Sequence, residues 1–97
     1  MNRAFTSDDI IKLITDRDKS KHLIIEESAI ADTNLQGCDL TNITFKLCSF
    51  ENCNLTGADF SESSISGTLF RECPMHACKF VNSDMTEAIF RDIDLSD

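Results

Sequence analysis

Five cysteines, Cys38, Cys48, Cys53, Cys73 and Cys78, are the residues of this sequence with the widest chemical reach. A thiolate can attack a carbonyl, hold a soft metal or close a disulfide. Each use has its own spacing requirement, and this set meets none of them. No two cysteines form Cys-x-x-Cys, their number is odd, and successive ones are separated by multiples of five residues. His22 and His76 stand singly, far from any triad partner. Gly37, Gly57 and Gly67 are scattered and form no phosphate-cradling loop. No converging acid, base and nucleophile can be named, so the sequence points away from an enzyme and implies no metal and no cofactor.

The multiples of five belong to a wider pattern. Counting every fifth residue from Ile25 gives Ile30, Leu35, Leu40, Phe45, Phe50, Leu55, Phe60, Ile65, Phe70, Met75, Phe80, Met85, Phe90 and Leu95, without gap or insertion. At 41% hydrophobic composition, chance produces such a run at a preset phase on the order of once in a million. Two places before each lies a second selected position, mostly small: Ser28, Thr33, Ala58, Ser63, Thr68, Ser83, Ala88 and all five cysteines. Packing therefore accounts for every cysteine, since a free cysteine behaves as a small buried hydrophobe. Neither a helix, with period 3.6, nor a flat strand, with period 2, returns one face every five residues, so the backbone must turn a corner each time.

At this point the residues resemble a known family, the pentapeptide-repeat proteins, whose motif is roughly Ala-(Asp/Asn)-Leu-polar-polar. Ala58-Asp59-Phe60-Ser61-Glu62 is a near-ideal copy, and Cys38-Asp39-Leu40-Thr41-Asn42 and Cys53-Asn54-Leu55-Thr56-Gly57 are close to it. The resemblance covers residues 23–97 and implies an all-β solenoid: a right-handed quadrilateral parallel β-helix with four repeats, 20 residues, per coil. Residues 23–97 would then make about 3.75 coils and a rod of about 18 Å at the ~4.8 Å spacing of paired strands. Residues 20 apart should stack, which places Phe50, Phe70 and Phe90 in one column, Phe60 over Phe80, and Leu35, Leu55, Met75 and Leu95 in another. Cys53 and Cys73 would share a column, where parallel side-chain vectors and a reducing compartment oppose a disulfide. Pro74, lacking an N–H, should delete one ladder bond and introduce a local bulge. The three glycines all occupy the last position of a repeat, at the corner.

Residues 1–22 break the period and form the other segment of the chain, a capping helix with its linker. Thr6 is a good N-cap, Asp8 and Asp9 suit the positive end of a helix dipole, and Phe5 with Ile10 makes a hydrophobic staple. Ile10, Leu13 and Ile14 make an apolar stripe with Ile11 beside it, and Arg17, Lys19 and Lys21 follow at the C-terminal end. A solenoid end exposes core and an unpaired edge, so a cap here has a purpose. At the other end no cap is visible, and Met75, Met85, Phe90 and Leu95 are the expected surface of a homodimer formed through the last coil.

Beyond packing there remains charge. The chain carries 17 Asp plus Glu against 9 Lys plus Arg, net −8. Residues 23–97 hold thirteen acidic against four basic residues, net −9, or about one negative charge per 2 Å of an ~18 Å rod, against one per ~1.7 Å for duplex DNA. Family relatives are acidic rods that look like DNA to topoisomerases, inhibiting gyrase or protecting it, so the resemblance implies a DNA-mimicking rod that binds a DNA-handling enzyme or a nucleic-acid-binding defence complex. Asp32, Glu72 and Asp92 with Glu51, then Asp39, Asp59 and Glu62, are the candidate carriers of that acidic face. The same charge opposes direct binding of nucleic acid. The alternative is a scaffold or effector module docking on a protein through the outward apolar pair Leu69 and Ile89. The first residues lack a secretory signal and no apolar run of about 18 residues occurs, so the expectation is a cytoplasmic protein without a membrane partner.

Overall fold

A computed structural model describes residues 7–93. The expected N-cap Thr6, the staple residue Phe5, and Leu95 at the far end lie outside the described residues. One helix, α1 (Ser7–Asp16), precedes six short strands: β1 (Leu23–Glu26), β2 (Ala29–Ala31), β3 (Ile43–Lys46), β4 (Ser49–Glu51), β5 (Leu69–Arg71) and β6 (Ile89–Arg91). All pairing is parallel and in a register of 20: Leu23 pairs with Ile43, Phe50 with Phe70, and Phe70 with Phe90. β1 pairs with β3, and β2, β4, β5 and β6 form a four-stranded sheet. Single bridges such as Asn34 with Asn54 and Asp39 with Asp59 continue the ladder on the remaining sides. The chain is thus the right-handed quadrilateral β-solenoid that the repeat implies, closed at its start by one short helix.

The corner has a single conformational cause. Every fifth residue from Glu27 to Asp92 has positive φ: eleven non-glycine residues between 51° and 60°, and Gly37, Gly57 and Gly67 between 68° and 73°. The glycines sit there because the left-handed region carries no Cβ penalty for them. Just before each turn, a side chain often holds it: Asp39 Oδ1 accepts the Thr41 N–H at 3.0 Å, Asn54 Oδ1 that of Thr56 at 3.1 Å and Asp59 Oδ1 that of Ser61 at 2.9 Å. This is the reason for Asp or Asn before the central residue.

Inside, the central residues from Ile25 to Met75 are buried. The phenylalanines form stacked columns, with ring centroids 4.9 Å apart for Phe50–Phe70, 5.5 Å for Phe60–Phe80 and 5.1 Å for Phe70–Phe90, the planes within 8° of parallel. Edge-to-face contacts, such as Phe45–Phe50 at 5.2 Å, knit neighbouring columns. The small position does more than leave room. Cys48, Cys53, Cys73 and Cys78 donate from Sγ to the carbonyls of Ile25, Ile30, Phe50 and Leu55, and Ser63, Thr68 and Ser83 donate from their hydroxyls to those of Leu40, Phe45 and Phe60. A donor one coil away thus serves the carbonyl of a central residue.

Pro74 behaves differently from the expectation. By analogy with Asp59 N–H to Cys38 O and Lys79 N–H to Ala58 O, residue 74 would donate to Cys53 O, and proline cannot. No bulge follows: Leu55 N–H still meets Pro74 O at 2.8 Å and Gly57 N–H meets His76 O at 2.7 Å, so the register passes through unchanged. The corners on either side fix the coil, and one missing bond does not shift it.

α1 packs against β2, with Ile10 and Ile14 buried in the same cluster as Ile25, Ile30, Leu35 and Leu40. Leu13, expected in that stripe, is 38% exposed, because two residues one turn apart suffice to cover the narrow first coil. Arg17 serves docking rather than the helix dipole: its side chain is 5% exposed and its Nη2 donates to the Asp39 carbonyl at 3.1 Å. At the opposite end Phe80 and Phe90 are only half-buried and Met85 is 37% exposed, whereas Met75 lies beneath them, buried. With its helix the molecule measures 37 × 27 × 24 Å, a block rather than a long rod.

Candidate interaction surface

Because the register is 20, each outward position of one coil continues as a column along the axis, and the candidate residues can be placed column by column. Asp32, Asn52, Glu72 and Asp92 occupy one corner column, all exposed. The Asn52 amide donates to Asp32 Oδ1 at 2.7 Å, so the column reads as three carboxylates with one amide between them. Glu51 lies beside it on β4, but Arg71 Nη1 holds its Oε2 at 2.7 Å across the sheet. Asp39 and Asp59 stack on the fourth side of the coil, followed by Lys79. Glu62 stands at the next corner, between Asn42 and Asn82.

Asp39 is the most engaged of these carboxylates. Lys19 Nζ lies 2.8 Å from Oδ2, Thr41 Oγ1 donates to Oδ1 at 2.6 Å, and Arg17 Nη2 is 3.5 Å away. The Lys19 ammonium and the Thr41 hydroxyl hold its carboxyl well below the usual carboxylate range. Two of the seven candidates, Asp39 and Glu51, therefore face cations of the chain itself. The seven do not form one face: the corner column of Asp32, Glu72 and Asp92 is separated from Asp39 and Asp59 by a third side that carries no charge among the described residues. That side bears Asn34, Gln36, Asn54, Thr56, Pro74 and His76.

Leu69 and Ile89 are partners in the β5–β6 pairing, both outward, the first half-buried and the second 50% exposed. Arg71 and Arg91 stack in register next to them. Leu47, at the neighbouring corner, is 61% exposed with φ 55°. Sequence reasoning passed over Leu47 because a corner residue belongs to neither the central nor the small set. It passed over Arg17 as a docking group because nothing in its spacing predicts a contact 22 residues away.

The cysteines remain thiols. Burial pushes Cys78 up to about 11 and also raises Cys38 and Cys48. In the stacked Cys53–Cys73 pair, the neighbouring Cys73 sulfur and the loss of water push Cys53 up, while the neighbouring Cys53 sulfur draws Cys73 down. These shifts describe the pair, whose second proton is the far harder one to remove. Among the described residues no group of three or more His, Cys, Asp or Glu is arranged to hold a metal ion. His22 tethers the linker where the first coil passes into the second, its ring nitrogens 2.8 Å from Asn42 Oδ1 and 2.6 Å from Thr44 Oγ1.

No curated protein matches this chain. Among solved structures it is similar to full-length QnrB1, a plasmid-mediated fluoroquinolone resistance protein, at 20% identity and TM-score 0.47 over 96% of this chain and 56% of that one. It is also similar to HetL of the cyanobacterium Nostoc, a pentapeptide repeat protein involved in heterocyst differentiation regulation, at 13% identity and TM-score 0.40, covering 68% of this chain and 44% of that one. Rfr23 of the cyanobacterium Cyanothece, another pentapeptide repeat protein, is similar at 16% identity and TM-score 0.34 over 78% and 52% of the two chains. The chain spans about half the length of these structures, from 44% to 56%. The family of the pentapeptide repeat region matches residues 43–97, and with the five-residue period and a left-handed corner closing every repeat, this chain belongs to the pentapeptide-repeat family.

Proposed function

We propose that this protein is a non-enzymatic binding protein of the cytoplasm, and that its exposed carboxylate column occupies a basic, DNA-binding surface of a protein partner in place of DNA. The observation that carries this reading is the corner column Asp32, Glu72 and Asp92: three exposed carboxylates aligned with the solenoid axis, none of them in an ion pair among the described residues. Beside it lies a third side that carries no charge among the described residues, so over that span the column stands as a line of negative charge edging a neutral strip, as a phosphate backbone edges a groove. Glu62 and Asp59 extend the field; Asp39 and Glu51, held by cations of the chain, contribute less. Topoisomerases of the gyrase class and nucleic-acid-binding defence complexes are the partner classes, and a block of this size suits a short stretch of DNA-binding surface. The test is inhibition or protection of gyrase supercoiling, together with a pulldown from the native host at low and high salt. Glu72→Lys with Asp92→Lys should abolish the effect, and binding should fall steeply with salt. Binding indifferent to both salt and charge reversal overturns the reading.

A second reading has its own observation. Leu69 and Ile89 form an outward apolar pair on the four-stranded sheet, and a scaffold or effector module would dock there. Leu69→Ser with Ile89→Ser should then release the partner while Glu72→Lys leaves it bound. Either reading accommodates a homodimer through the last coil, in which Phe80, Met85 and Phe90 of two copies cover one another.

A further inference from the structure

On the first side of the solenoid, side chains of very different length stand in adjacent coils. Ser64, Ser66 and Gly67 of the third coil lie between Thr44, Lys46 and Leu47 of the second and Glu87 of the fourth, and together with Phe45 they line a hollow of about 320 Å³. The floor is low because its residues are small. A Cβ built on Gly67 would meet a single atom within 4 Å, Leu47 Cδ2 at 3.9 Å. At ~4.8 Å between coils, the two rims stand about 10 Å apart, which after side-chain thickness leaves a slot for one flat or aliphatic side chain.

The rims carry opposite charges. Lys46 on one and Glu87 on the other are both exposed, and neither has an ion-pair partner among the described residues. Leu47 adds an apolar wall, 61% exposed and held at φ 55°. A large apolar residue gains neither burial nor backbone comfort at such a corner, where Asn or Gly would fit at less cost.

We propose that this hollow is a docking slot for an extended segment of a protein partner that inserts one aromatic or long aliphatic anchor against Leu47, with a carboxylate over Lys46 and a cation over Glu87. Anchors in small pockets flanked by complementary charge are how interfaces concentrate their affinity. An all-acidic or all-basic segment would meet one like charge, so the slot selects a mixed one. It lies away from the Glu72 and Asp92 column, and its failure would leave the DNA-mimic reading untouched.

The chain contains no Trp and no Tyr, so a tryptophan peptide is the sole emitter under selective excitation. The probe is the blocked peptide Glu-Ser-Trp-Ser-Lys, with Glu-Ser-Trp-Ser-Glu and Lys-Ser-Trp-Ser-Lys as comparisons. The wild-type protein should give a saturable blue shift with the mixed peptide in the high-micromolar to millimolar range, and weaker binding of the other two. Ser66→Leu fills the slot and should weaken binding about tenfold with unchanged circular dichroism. Lys46→Glu should transfer the preference to the peptide with two lysines, a result that general damage to the fold would not produce. No saturable shift, equal binding by Ser66→Leu, or an unchanged preference in Lys46→Glu overturns the proposal. Light scattering alongside names the remaining rival: a mass that doubles in wild type but not in Ser66→Leu gives the slot to a second copy of this chain and also overturns it.

Discussion

The small position of each repeat is a donor position as much as a small one. Cys73 donates to the Phe50 carbonyl at 3.5 Å, and Ser63 makes the equivalent bond to Leu40 at 2.6 Å. Cys73→Ser should therefore leave the unfolding free energy measured in urea within about 1 kcal/mol of wild type, whereas Cys73→Val, which crowds the column and removes the donor, should cost about 1–3 kcal/mol. Charge at the residue scale is decided by what lies one coil away or across the cap, and Asp39 is the test. Its carboxyl is depressed by Lys19 and Thr41, so its stabilising contribution is complete above the unfolded value near 4 and is lost as pH falls toward the depressed one. The difference in urea midpoint between wild type and Asp39→Asn should be largest near pH 7 and shrink below pH 4. A difference that is constant over that range would mean that the ion pairs with Arg17 and Lys19 contribute nothing to docking the helix.

At the scale of the element, the repeating unit is a corner, and its cost is set by the residue that holds the left-handed conformation. Asn42, Asn52 and Asn82 and the three glycines adopt it cheaply, while Leu47 and Ala77 do not. Ala77→Gly should raise the stability by about 0.5–1 kcal/mol, the relief of the Cβ clash exceeding the added freedom of the unfolded chain. Gly37→Ala should lower it by about 1 kcal/mol although nothing lies within 4 Å of the new Cβ, which isolates the conformational contribution from any steric one. Thermal unfolding of the two variants measures both signs. The corner also marks how far the sequence could be read. Central residues face a closed interior, so every fifth position is constrained to be large and apolar, and the phenylalanine columns and their register followed directly. Corner and outward positions face water and accept many types; three glycines indicated the corner, but Leu47 and Ala77 concealed its generality. The pairing of Glu51 with Arg71 was readable once the coil length was known. The grip of Arg17 and Lys19 on Asp39 was not, because where a helix docks is decided by tertiary packing of Ile10 and Ile14 rather than by any period.

Over the whole molecule, the two ends of the solenoid are unequal. Ile10 and Ile14 seal the first coil, so Ile25, Ile30, Leu35 and Leu40 are at most 2% exposed, while at the other end, among the described residues, Phe80 and Phe90 are only half-buried and Met85 is 37% exposed. In a solenoid each coil is stabilised chiefly by its neighbours, so a coil with one neighbour opens first. The ring of Phe60 meets Phe45, Phe50, Phe70 and Phe80, whereas Phe90, among the rings of the described residues, stacks on Phe70 alone. Phe60→Leu should accordingly cost at least twice as much stability as Phe90→Leu, on the order of 1–2 kcal/mol against less than 1. Native-state hydrogen exchange should show protection falling from the second and third coils toward residues 80–93. The concentration dependence of that gradient then separates a free end from a joined one. If two copies meet through the last coil, amides of residues 80–93 gain protection as protein concentration rises, because association stabilises only the state in which that coil is folded. They should gain more at high salt, which screens the repulsion between two acidic chains. Protection at 80–93 that stays the same from micromolar to near-millimolar protein would mean that the last coil remains open to solvent and that the homodimer does not form.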